Sequence, residues 1–441
     1  MSEQTTPARP AASARRRPHV VILGGGFAGL GAAKALRKAE VDVTLVDKRT
    51  YNTFQPLLYQ VATAGLNAGD VTFFLRATRM KQTNLSFRHG EVEKINTEAQ
   101  TIDFTDGGAL EYDFLIVGTG VTTNYFNTPG AEENTLAIYT RQQALTLRDK
   151  IFTRLEHAAA ESANSTPEEV TLVVVGGGAT GVETAGALAE LRNDAMAVVY
   201  PELDPRRTHV VLVEMADVVL APFAPNLREY AAKALRERGV ELRLKTSVKS
   251  VTPEGVELGS GEFIPAGVVV WATGVTAPKE VAGWGLPQGR GGRITVDADL
   301  RVTGLSNVFA VGDIAVTPDP LPQLAQPALQ GGVQAGKNIV ALITGRPTAP
   351  FKYKDKGTMA TVGRRAAVAD IIVGKKSIKL TGTLAWLIWL YVHIATLLGN
   401  RNRLATFVNL VTKYLAPSRR TNPIVGDVPV FDREAGKKAL K

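Results

Sequence analysis

The chain has 441 residues, 45% hydrophobic and 21% charged, enough to bury a large core and, on length, to form two or three domains. It contains no cysteine, which excludes disulfide frameworks, redox dithiols, thiolate metal sites and cysteine nucleophiles. Five histidines (His19, His89, His157, His209 and His393) are scattered singly, so no metal centre is expected and any redox chemistry must come from a bound organic group.

The net charge of +9 is unevenly placed: residues 351–441 hold 17 Lys/Arg against 5 Asp/Glu, a local +12 that leaves −3 for residues 1–350. Nucleic acid would want such charge on a groove-reading element. An anionic bilayer surface wants it beside an amphipathic segment, at about 1 kcal/mol per Lys/Arg. Here it flanks a tryptophan-rich run, so a lipid surface is the expected partner and nucleic acid is not.

In chain order, residues 1–17 are polar, Pro/Ala-rich and basic and read as a disordered arm. The apolar stretch that follows is no secretory h-region, because it runs directly into a glycine fingerprint; the body is expected to fold in the cytoplasm. His19 to Leu36 reads HVVILGGGFAGLGAAKAL: a β-branched run, then Gly24-x-Gly26-x-x-Gly29, then helical spacing. These glycines suit a tight turn, backbone approach to a pyrophosphate and close helix–strand packing, with helix N-terminal amides facing the anion. Asp47, ending the next strand VDVTLVD, stands where a ribose-binding carboxylate belongs. The pattern recurs in VTLVVVGGGATGVETAGALAE, with Gly176, Gly178 and Gly181 in the same phase and Glu214 ending the strand HVVLVE. A carboxylate there binds a ribose diol and repels a 2′-phosphate, favouring NAD over NADP; Arg206 and Arg207 lie upstream of the strand and are discounted as phosphate ligands. FLIVGTG, closing at Gly120, and VVVWATG, closing at Gly274, each end a nucleotide domain. VFAVGDIA returns the chain to the first domain at Gly312-Asp313.

Gln326 and Gln330 lie i and i+4, on one helical face, and Pro327 marks a first helical turn. Gly331 and Gly332 are expected to permit close approach of a flat ring. Glu183 falls in the first turns of the second fingerprint helix, favourable for a carboxylate. Leu384 to Leu398 carries no formal charge yet stops at Gly399-Asn400-Arg401, short of the about 20 apolar residues a spanning helix needs. With Leu404, Phe407, Val408, Val411, Tyr414 and Leu415 at helical spacing, it reads as two interfacial helices, Trp and Tyr at headgroup depth. Such an anchor should be separable from the catalytic body, so deletion after about residue 380 is expected to spare it.

On these motifs the chain resembles the two-dinucleotide-domain flavoprotein reductases, and within them the single-subunit type II NADH dehydrogenases. The subgroup features are Phe54-Gln55-Pro56-Leu57-Leu58, GGGATGVE from Gly176 to Glu183, AQPALQ from Ala325 to Gln330, Lys356-Gly357 and the tryptophan-rich segment. The resemblance implies an α/β fold of two Rossmann-like domains in a glutathione-reductase-like arrangement plus a C-terminal membrane-associating helical segment. Its domains would be an arm, 1–17; a split FAD-binding domain, 18–125 and 300–350; an inserted NADH-binding domain, 126–299; a C-terminal domain, 351–417; and a basic tail, 418–441. One non-covalent FAD would contact Gly24, Gly26, Gly29, Asp47, Phe54, Pro56, Gly120, Gly312 and Asp313. NADH, as substrate, would contact Gly176, Gly178, Gly181, Glu183, Glu214 and Gly274. Hydride would pass from NADH to FAD and two electrons then to a membrane quinone, menaquinone or ubiquinone, in the respiratory chain and without proton pumping. The resemblance gives Gln326, Gln330 and Lys356 to the quinone side and Glu183 to proton routing where nicotinamide meets flavin. It implies a peripheral position on the cytoplasmic face of a bacterial cell membrane; the sequence leaves the oligomer, including a homodimer, open. An NADPH-preferring quinone reductase of the same fold, or an NADH-sensing flavoprotein of the apoptosis-inducing-factor type, stand as alternatives. Sulfide:quinone reductases need the redox cysteines this chain lacks.

Overall fold

The computed structural model describes residues 17–162, 169–415 and 422–429. The basic arm, except Arg17, and most of the tail lie outside them. The chain divides into two compact units, one of Met1–Arg49, Arg76–Gly120 and Lys279–Tyr353, the other of Thr50–Leu75, Val121–Pro278 and Lys354–Lys441.

The first unit is built on a five-stranded parallel sheet. Val308–Ala310, Phe114–Val117, His19–Leu23, Asp42–Asp47 and Leu85–His89 lie in that spatial order. The central strand is wholly buried from Val20 to Leu23, which is why it reads as a continuous apolar run rather than an alternating one. It feeds the first fingerprint helix, Phe27–Leu36. The late helix Ala325–Ile343 packs along that helix on a seam of small residues. A Cβ at Gly332 would stand 1.9 Å from the Ala28 carbonyl oxygen, and one at Gly336 2.8 Å from Ala35 Cβ. The close approach at Gly332 is therefore to helix backbone and not to a ring, as the sequence suggested; helix-on-helix packing was the competing use of a small residue.

The second unit repeats the plan. Leu136–Ala137, Val268–Trp271, Val170–Val175, Thr208–Val213 and Val240–Arg243 form a parallel sheet in that order. The second fingerprint helix, Ala179–Glu190, follows the central strand. A three-stranded antiparallel sheet, Gly357–Gly363, Ala366–Val373 and Lys376–Thr381, packs its first strand on that helix: a Cβ at Gly186 would fall 2.0 Å from the Val362 carbonyl oxygen.

Two helices close the unit; the outward apolar stripe of the second lies as its pattern suggested, whereas the tryptophans of the first and Tyr414 do not. The tryptophan-rich helix Gly382–Thr396 buries Ala385, Trp386 and Trp389 and exposes Leu384, Leu387 and Tyr391. Its indoles are core groups, not headgroup-depth anchors. The terminal helix Asn400–Leu415 buries polar Asn402 and Thr406 with Leu410 and Tyr414, while Leu404, Phe407, Val408 and Leu415 are exposed. Tyr414, expected at the interface, is 5% exposed. Deletion after residue 380 would thus strip core side chains. These two helices are part of the body and not, as expected, separable from it. No helix among the described residues is long and apolar enough to cross a membrane.

Candidate functional site

Both fingerprint strands end in the same construction. Gly24 and Gly176 have φ of +99° and +109°, a conformation that L side chains rarely adopt. A Cβ at Gly29 or Gly181 would lie 1.8 Å from the carbonyl oxygen of Gly24 or Gly176, so only glycine lets each helix pack on its turn. Gly26 and Gly178 are the N-caps; neither helix has a side-chain cap or an acidic residue in its first turn, and a Cβ on either cap would meet nothing within 4 Å. Unblocked amides under open space are what a pyrophosphate requires.

A carboxylate closes each turn. Asp47 accepts from the Gly25 N–H at 2.6 Å and the Arg49 N–H at 2.7 Å. Glu214 accepts from Gly177 at 2.5 Å and Ala216 at 2.7 Å. Each oxygen keeps a lone pair for a ribose hydroxyl. Burial raises the Asp47 carboxyl above its ordinary range, opposed by those backbone donors and by the Arg49 and Lys48 charges. The residues fit one dinucleotide in each unit. Arg206, discounted from sequence, pairs with Asp204 at 2.9 Å.

In the first unit, Gly120 follows the strand Phe114–Val117. The Gly312-Asp313 turn reaches the start of the first fingerprint helix, where a Cβ on Gly312 would approach Ala28 Cβ to 3.0 Å and Ala328 Cβ to 3.3 Å. Ala328 lies between Gln326 and Gln330, so the same contact brings the start of the late helix to Asp313. Gln330 Nε2 donates to Gln326 Oε1 at 3.4 Å, on one face as the spacing predicts. Arg293, Asp313, Gln323, Pro327, Gly331 and Phe351 line a cleft beside this helix start. Burial lifts Asp313 to about 6, the Arg293 charge opposing it.

The second unit holds Glu183, Gly274, Phe54, Pro56 and Lys356. Lys356 is exposed at the head of the strand Gly357–Gly363, and Gly274 follows the strand Val268–Trp271. Phe54 is buried on the second unit, its ring edge-on to His393 with centroids 6.3 Å apart; Pro56 lies in the short helical turn Gln55–Leu57 that follows it. Glu183 is buried. Its Oε1 accepts from the Thr361 backbone N–H and from the Trp389 indole N–H, both at 3.2 Å. Burial pushes it up to about 8, against the pull of those two bonds. His393 stacks on Trp389 at 4.1 Å and donates Nδ1–H to its carbonyl oxygen, and burial lowers its basicity to about 4. Sequence reasoning finds Glu183 but misses Thr361, Trp389 and His393, leaving the last two within the interfacial run. Their one local signal is the i, i+4 pairing of Trp389 with His393 in an apolar run.

Two fingerprint turns with carboxylates and a late Gly-Asp define a two-dinucleotide flavoprotein reductase. Consistently, the pyridine nucleotide-disulphide oxidoreductase family model matches residues 18–332, and the NDH2 C-terminal domain model matches 356–419. Two type II NADH:quinone oxidoreductases of Mycobacterium tuberculosis are 39% and 35% identical to it, over 88% and 97% of this chain and 85% and 93% of theirs. One from Staphylococcus aureus is 31% identical over 82% of this chain and 93% of its own. The chain belongs to the type II NADH:quinone oxidoreductases. In fold it is similar to NDH2 of Plasmodium falciparum solved with NADH, with a TM-score of 0.84 at 20% identity over 93% of this chain and all of that one. The sulfide:quinone oxidoreductase of Aquifex aeolicus is similar too, at 0.71 and 20%, over 91% of this chain and 96% of that one.

Proposed function

We propose that this chain oxidises NADH and delivers the electrons to a quinone, as its family's name describes, that the quinone lies in a membrane, and that no protons are moved across it. FAD, held by the Gly24–Gly29 turn, Asp47 and Gly312-Asp313, supplies the hydride acceptor and the two-electron donor to quinone. Every other part of the work falls to this chain's residues. Glu214 takes the ribose diol of the nicotinamide cofactor and disfavours a 2′-phosphate. The uncapped start of the late helix offers its partial positive charge to electron-rich groups nearby. Gln326 and Gln330 offer amide donors to a quinone carbonyl, and Lys356 adds a cation on the quinone side. Glu183, buried and with a proton affinity near neutrality, holds a proton and releases it.

The observation that carries this reading is the repeated carboxylate clasp, Asp47 on Gly25 and Glu214 on Gly177, beneath two uncapped helices. For the membrane, the support is the terminal helix turned apolar side out. Exposed Leu404, Phe407, Val408 and Leu415, with Leu384, Leu387 and Tyr391, would lie in the interface of the cytoplasmic leaflet, and Lys375, Lys376, Lys379, Arg401 and Arg403 at the headgroups. The test is steady-state oxidation of NADH and NADPH with ubiquinone and menaquinone analogues in detergent. NADH-specific turnover with quinone is expected. Slow turnover with a persistent reduced flavin–NAD complex would instead point to a sensor.

A further inference from the structure

We propose that Trp389 is a positioning residue for Glu183, its indole N–H holding the carboxyl in one orientation, so that the tryptophan-rich helix is part of the proton-handling site. The inference rests on the reading of Glu183 as proton carrier given above.

The contact joins residues 206 positions apart. Thr361 and Trp389 both donate to Oε1, and neither uses Oε2, so the pair fixes which oxygen is left to take the proton. The indole is itself held by two rings, and one of them is tied to the backbone of Trp389. His393 stacks on its face at 24°, the Tyr59 ring lies 6.3 Å away, and the Trp389 carbonyl accepts from His393. At 1% exposure Trp389 cannot also be an interfacial anchor. The same helix nevertheless turns Leu384, Leu387 and Tyr391 outward, so one element carries both the lipid-facing surface and the donor to Glu183.

The surroundings add no counter-charge. Helix Leu58–Ala62 presents the Tyr59 phenol, whose ionisation burial and the Glu183 charge both oppose, and the tryptophan-rich helix presents neutral His393. Strands Gly357–Gly363 and Val170–Val175 carry no ionisable side chain. Strand Thr208–Val213 carries only His209, half-buried and next to the buried run Val210–Val213. The helix Pro225–Glu237 buries Leu227, Ala231, Ala234 and Leu235, leaves Glu229, Lys233, Arg236 and Glu237 exposed, and commits Arg228 to the Phe223 carbonyl. Arg192 is engaged with backbone carbonyls, Arg243 with Glu241 and Glu262, and Glu190 with the Arg364 N–H. The two hydrogen bonds are what stabilise the ionised carboxylate against burial.

Infrared difference spectra of the FAD-loaded full-length protein would follow the carboxylic C=O band that disappears in E183Q. Two variants remove the N–H: W389F, and Trp389 replaced by 3-benzothienylalanine, which keeps the bicyclic shape. The expected result is that the midpoint of that band moves up by about one pH unit in both, since a donor to the charged form is lost. The pH profile of NADH-dependent flavin bleaching should move with it. An unchanged midpoint in the benzothienyl protein, even with W389F unstable, assigns Trp389 to packing alone and overturns the inference while leaving Glu183 its role. A wild-type band that does not titrate, or a pH profile unaltered by E183Q, removes the Glu183 reading and this inference with it.

Discussion

Asn409 donates its side-chain amide to the buried carboxylate of Asp70 at 2.7 Å, 339 positions away in sequence. It belongs to a stripe: Asn402 reaches the Thr72 carbonyl, Thr406 the Asp70 carbonyl and Lys413 the Gln60 side chain, at spacings of four, three and four residues. The terminal helix therefore docks by its polar face, the reverse of an ordinary surface helix. Asn409→Leu should leave Asp70 short of a donor and cost about 1–3 kcal/mol. A lower thermal midpoint and faster proteolysis between residues 400 and 415 are expected. An unchanged protein would mean the helix is held by Leu410 and Tyr414 alone.

Replacing Glu214 by Ala, with Arg at the position of Ala216, should lower kcat/KM for NADH by about tenfold, roughly 1.4 kcal/mol, and raise the use of NADPH relative to NADH. Equal use of both cofactors by the wild type would refute the ribose assignment.

Gln330→Ala should slow quinone turnover several-fold while leaving rapid NADH-dependent bleaching nearly intact. The two half-reactions can be followed separately by stopped flow. Equal loss in both would place Gln330 in structure or FAD binding.

What was legible in the sequence is what short-range sterics dictate. The glycines at 24, 29, 176 and 181 are demanded by a turn within six residues, those at 26 and 178 keep the helix start open, and Asp47 and Glu214 close the turn from the end of the neighbouring strand. The late helix, with Gln326 and Gln330 on one face, follows from local periodicity. What failed depends on distant partners. An apolar stripe at 404, 407, 408 and 415 gives the helix and the outward face that the structure has, but not the docking of the opposite, polar face. That docking is decided by Asp70 and Thr72, more than 300 positions away. The same holds for Trp389, which periodicity cannot tell from an interfacial tryptophan, and for Gly332, whose neighbour is Ala28.

Two buried groups set opposite pH limits on stability. Glu183 has a folded value near 8 against 4.5, so the folded chain binds the extra proton between those values and stability is lost as pH rises from about 4.5 to about 8. E183Q should flatten that loss. His393 has a folded value near 4 against 6.5, so the unfolded chain binds the extra proton and stability is lost as pH falls from about 6.5 to 4. His393→Phe should flatten the acid loss and leave the loss from Glu183 in place. Thermal midpoints from pH 4 to 9, taken as differences from wild type, check both. A parallel change across the whole range would show that neither group titrates as its burial implies.

The exposed apolar stripe offers a cleaner membrane test than truncation, because its side chains can be changed without touching the core. Leu404, Phe407, Val408 and Leu415 together replaced by Gln or Ser should leave the fold, the FAD content and the NADH-driven reduction of small water-soluble acceptors close to wild type. Binding to vesicles and turnover with long-tailed quinone should both fall steeply, since apolar area withdrawn from water contributes about 25 cal/mol per Å². Charge reversal of Arg401 and Arg403 to Glu should give a milder loss, and only on anionic vesicles, because that part of the attraction is screened over about 8 Å at physiological salt. High salt should therefore weaken wild-type binding without abolishing it. Quantitative release of the wild type by salt alone, or full vesicle binding by the quadruple variant, would mean that the stripe meets something other than lipid.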